Sequence, residues 1–86
     1  MRAMKSDIFH PPVKRSIAIA GHSTSISLEP LFWSMLKMAA EERGLPINAL
    51  VAQIDVARME AEHPPGLGTA IRLWLVANLV RRLDPA

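Results

Sequence analysis

The chain has 86 residues, half of them apolar, with ten basic and eight acidic side chains and no cysteine. That length allows one domain and lets only roughly 60% of the unfolded surface be buried, so the apolar surplus suggests cover from another chain. The lack of cysteine excludes a disulfide framework and a thiolate metal site, and no run approaches the ~18–20 apolar residues of a membrane-spanning helix.

Residues 1–6 have no apolar stretch behind them, so no signal peptide is expected, and the protein is expected to be soluble and cytoplasmic. The formal net charge is only +2, but it is unevenly spread. Arg2, Lys5, Lys14 and Arg15 stand against Asp7 in residues 1–28, whereas six basic side chains meet seven acidic ones in residues 29–86. A basic N-terminal segment beside a polar strand fits nucleic acid, while four scattered cations also make an ordinary solvated surface.

Residues 1–13 lack periodicity and run through His10-Pro11-Pro12, which predicts a flexible arm ahead of a domain spanning 14–86. Residues 14–20 alternate, with Ile17 and Ile19 on one face, and Gly21-His22 reads as a turn. Residues 24–28 alternate strictly, with Thr24, Ile26 and Leu28 on one face and Ser23, Ser25 and Ser27 on the other, the mark of a half-buried strand. A hairpin and an unpaired first run are both open at this point.

Pro30 stops the strand and suits a first helical turn, so a helix is expected over 30–43. Its apolar stripe is Phe32, Leu36 and Ala39 with Met35, and Trp33 and Lys37 lie beside it. Gly44 is placed as a left-handed C-terminal cap. A second helix should begin near Pro46, taken as its first residue, and reach residue 60 or 62, with Ile47, Leu50, Val51, Ile54 and Ala57 on one face. His63-Pro64-Pro65-Gly66-Leu67-Gly68 breaks it. A third helix over 69–83 is apolar almost all round, which predicts burial between layers; Arg72, Arg81 and Arg82 exclude a membrane span.

Other chemistry is thinly supported. His10, His22 and His63 are far apart, each beside a turn or arm, so no metal site and no cofactor is expected. Gly66-Leu67-Gly68-Thr69 lacks the lysine and preceding strand of a phosphate loop. The serine run has no neighbouring general base, Glu41-Glu42 is a solvated helix end, and the chain is not expected to be an enzyme. Trp33 and Trp74, at helical spacing among aliphatics, suit a core or an interface better than a cofactor pocket.

Thr24-Ser25-Ile26-Ser27-Leu28-Glu29-Pro30, Phe32-Trp33, Arg43-Gly44-Leu45 and Asn48-Ala49-Leu50 together resemble the ribbon-helix-helix domain proteins of bacteria, and the terminal apolar helix resembles the subgroup with an added C-terminal helix. The resemblance covers residues 14–83 and implies a mainly α fold with a short β ribbon, built as an intertwined homodimer. It implies a DNA-binding transcriptional regulator whose ribbon meets the major groove of double-stranded DNA. Ser23, Ser25 and Ser27 would face the bases, and Lys14, Arg15 and Asn48 the phosphates. Ile26, Leu28, Phe32, Leu36, Leu50, Val51 and Ile54 would form the dimer core, because a lone strand needs a twin to satisfy its backbone and cover its apolar side. The alternative is a dimeric module, antitoxin-like or adaptor, that keeps the fold but binds a protein partner and little DNA. The chain departs from the family pattern in three places: serines on the ribbon, Pro46 where a capping hydroxyl is usual, and the width of a four-stranded sheet should residues 16–20 pair with 24–28.

Overall fold

The computed structural model describes residues 8–84; Arg2 and Lys5, two of the expected N-terminal cations, lie outside them. Two strands, β1 (Val13–Ile19) and β2 (His22–Leu28), precede three helices, α1 (Pro30–Glu42), α2 (Ile47–Met59) and α3 (Leu67–Leu83). Val13, placed by sequence in the arm, is the first residue of β1.

The strands form an antiparallel hairpin in register from Val13↔Leu28 to Ile19↔His22. Its loop is Ala20-Gly21, not Gly21-His22, and both residues have positive φ, +50° and +84°. Two residues with φ > 0 make the mirror-image turn whose twist matches the flanking strands. β2 therefore finds its partner in its own chain. The expectation that it must borrow a twin is overturned: Ile26 is 3% exposed and Leu28 fully buried in the single chain.

Pleating sends Ile17, Ile19, Ile26 and Leu28 onto the helices and Lys14, Ser16, Ala18, Ser23, Ser25 and Ser27 outward. Trp33, Leu36, Ala39 and Ala40 of α1, Leu50, Val51 and Ile54 of α2 and Ala70, Ile71 and Leu75 of α3 complete the core. The buried stripe of α1 thus runs through Trp33, while Phe32 is only half-buried. The indole explains the choice: its Nε1–H donates to the Val13 carbonyl at 2.9 Å, which ties β1 to α1 and satisfies a polar group the core would otherwise strand.

α1 ends as its sequence predicts. Gly44 has φ +66°, its N–H bonds to the Glu41 carbonyl, and the Leu45 N–H reaches back to Ala40 at 2.9 Å. Pro46 is the N-cap of α2 and not its first helical residue. α3 starts two residues earlier than expected, at Leu67. It is also not enclosed: Ala70, Ile71 and Leu75 are buried, but Leu73, Val76, Leu79, Val80 and Leu83 face outward.

Candidate nucleic-acid interface

The outer face of the hairpin is a polar surface two strands wide. Ser16 opposes Ser25, Lys14 opposes Ser27, and Ala18 opposes Ser23. All six side chains are exposed. The serines expected to read bases therefore share one face, and Ser16, which sequence reasoning passed over, joins them because the hairpin register brings it across from Ser25.

The expected phosphate contacts do not share that face. Lys14 does, beside the serines. Arg15 belongs to the opposite pleat, paired with Ile26, and its guanidinium sits 5.1 Å from the Trp33 ring centroid in a cation–π contact. Asn48 is exposed as the second residue of α2, among the first N–H groups of that helix, which have no intrahelical acceptor. Of the residues expected in a dimer core, Ile26, Leu28, Leu36, Leu50, Val51 and Ile54 are all at most 3% exposed within one chain. They have no surface left to offer a second copy; Phe32 retains some.

The edges of the hairpin matter as much as its face. In a two-residue hairpin the closing pair, Ile19↔His22, exchanges both backbone hydrogen bonds, and hydrogen-bonded and open pairs then alternate. The backbone N–H and C=O groups of Ser23, Ser25 and Ser27 therefore point away from β1, toward the free edge of β2. The first two turns of α3 guard one end of that edge. Arg72 donates from Nη2 to the Ser27 carbonyl at 3.2 Å and from Nε to the Glu29 carboxylate at 2.9 Å. Gly68 comes close enough that a Cβ there would stand 3.4 Å from the Ser27 carbonyl oxygen. A hydrogen bond from its own backbone N–H, and then the Arg72 guanidinium, hold the Glu29 carboxyl below its usual range. Ser23 and Ser25 remain open to a further strand.

Beyond this face, His10 bonds the Pro11 carbonyl through Nδ1 at 2.7 Å, and His22 and His63 are exposed. Among the described residues no three His, Cys, Asp or Glu side chains gather where they could hold a metal. No helix among them is long and apolar enough to cross a membrane.

A family model described as a ribbon-helix-helix domain matches residues 12–79, from just before β1 to well inside α3. No curated protein and no solved structure matches the chain. The match takes in both strands, the two following helices and most of the third, so the chain has the ribbon-helix-helix fold with an extra C-terminal helix, α3. The chain belongs to the ribbon-helix-helix domain family.

Proposed function

We propose that the protein is a homodimeric DNA-binding regulator that lays the hydroxyl face of its hairpins across the major groove. The observation that carries the reading is the exposed face of four serines flanked by Lys14, in a family whose members are generally DNA-binding transcription regulators or antitoxins and typically form dimers. Two copies pairing β2 with β2 would give a four-stranded sheet with the β1 strands outermost. Three strand spacings of about 4.8 Å span roughly 14 Å, wider than the ~12 Å groove. Such a sheet rests on the groove and does not enter it. Its central serines lie over the base edges, and Lys14 on each outer strand lies over a wall of phosphates. Affinity then comes mainly from phosphate contacts and base discrimination is weak, because serine is short and bonds to several edges.

The test is a gel-shift series on short duplexes at several salt concentrations. Lys14→Ala removes two phosphate contacts from the dimer, so the slope of log K against log salt should flatten by about 1.8. Ser25→Ala with Ser27→Ala should leave the slope alone and weaken the preference among sequences. Unchanged binding in both variants refutes the assignment.

One feature favours the second reading, a module bound to a protein partner: Lys14 is the single charged side chain on the outer face. Failure of the wild type to shift any duplex at about 50 mM salt, where phosphate-driven binding is strongest, would decide for that reading.

A further inference from the structure

We infer that the outward face of α3 docks against α3 of a second copy, antiparallel, about a two-fold axis near residue 78. Four exposed side chains carry the argument: Leu73 (60% exposed), Val76 (45%), Val80 (54%) and Leu83 (75%). Their spacing of three, four and three residues is a narrow seam of the kind one helix presents to another. It lies on the side of α3 opposite Ile71 and Leu75, which are buried in the core. No charged side chain interrupts it between residues 73 and 83, since Arg81 and Arg82 fall outside it on opposite flanks.

The seam is self-complementary in one antiparallel register. Placing Leu73 across from Leu83 of the second copy puts Val76 across from Val80, so leucine meets leucine, valine meets valine, and all four side chains are used in each copy. This is the isologous contact a two-fold axis requires. A parallel pair would bring Arg81 and Arg82 level with their own copies. The antiparallel register instead separates each from its copy by roughly 9 Å or more along the axis, at 1.5 Å per residue, and opposes the helix dipoles.

The area suffices. With Leu79, also 45% exposed, the seam leaves roughly 450 Å² of apolar surface per copy, as much as the largest patch on a typical monomer. Two copies bury about 900 Å², just short of the ~1,000 Å² expected of a specific interface. Grooves on both flanks add apolar surface beside it: Met35 and Met38 of α1 line one next to Leu79, with the Glu42–Arg82 ion pair also on its wall, and Ala57 and Ala61 of α2 line the other next to Leu73, with Arg58. This interface is separate from the β2 edge and from the DNA-facing serines.

Sedimentation at tens of micromolar tests it. Val76→Glu with Val80→Glu alters only exposed positions, so circular dichroism should be unchanged while the molecular mass falls to half that of the wild type. The chain has no native cysteine, so the register can be read by cross-linking. Leu73→Cys with Leu83→Cys should give a disulfide-linked dimer on oxidation, and Leu73→Cys alone should not. A monomeric wild type, an unchanged mass in the double glutamate variant, or a cross-link from Leu73→Cys alone overturns the proposal. The last outcome would mean a parallel pair, and a monomer would leave the seam to a different protein. Because the seam and the serine face are distinct, a protein that loses the seam and still shifts DNA with the expected salt slope refutes only this inference.

Discussion

Ala20 is the place where the hairpin is held against local preference. It has φ +50° in a two-residue loop followed by Gly21 at +84°. The left-handed region costs an L-residue with a Cβ roughly 1–2 kcal/mol. Ala20→Gly removes that cost but frees the unfolded chain, returning about 0.4–1 kcal/mol. The net gain should be roughly 0.5–1 kcal/mol, or about 2–8 °C in melting temperature for a domain of this size. Ala20→Asn should do at least as well, since asparagine tolerates this conformation, keeps a side chain and creates the favoured Asn-Gly turn. Ala20→Val should lose about 1 kcal/mol or more, because a branched Cβ is worst placed at positive φ. Thermal melts followed by circular dichroism, with urea titrations for the free energies, measure all three. If Ala20→Gly and Ala20→Asn both melt at or below the wild type, the turn is not under the strain argued here, and the hairpin register that depends on it would need revision.

Two further perturbations probe the joints between layers. Trp33→Phe keeps an aromatic ring but loses the hydrogen bond to Val13 and some volume, so it should cost about 1–3 kcal/mol; a urea midpoint equal to the wild type would show that the indole does not anchor β1. The Glu29 carboxyl titrates below its ordinary value of 4.5, so it contributes stability at and above that value and loses it as pH falls through the lower folded value. Melting temperature from pH 6 to 3 should accordingly fall less in Glu29→Gln than in the wild type; parallel acid profiles would remove the Glu29–Arg72 contact from the account.

Alternation made both faces of the hairpin legible, because a period of two assigns every side chain once the strand is recognised. The same rule could not choose between an internal partner and a twin for β2, which depends on whether Ala20 will accept positive φ. Helical spacing found α1 but selected Phe32 over Trp33. The two differ by one step of about 100°, and the deciding fact, a carbonyl of β1 within reach of the indole, is a tertiary one. Arg72 read only as a charge in an apolar run. Its partners lie 43 and 45 positions earlier, so no local pattern could reveal that it fastens α3 to the strand–helix junction. The third helix was legible as apolar all round; which side meets the core and which is left over depends on the size of a domain too small to enclose it.

The hairpin changes the terms on which a dimer forms. A lone strand would need a twin to fold at all, whereas a hairpin that covers Ile26 and Leu28 by itself offers a second copy only an edge. Proline can separate those cases. Ser25 sits in an open pair of the ladder, so its N–H points away from β1, and Ser25→Pro removes a donor that only a further strand would use. Ser16→Pro, directly opposite, makes the same change on the outer edge of β1 and carries a similar backbone cost. If β2 pairs with β2, Ser25→Pro should halve the molecular mass and abolish DNA binding, while Ser16→Pro keeps both and the two variants melt alike at low concentration. Equal mass and equal DNA binding in the two would rule out the β2 edge as the dimer contact and leave α3 as the surface by which copies meet.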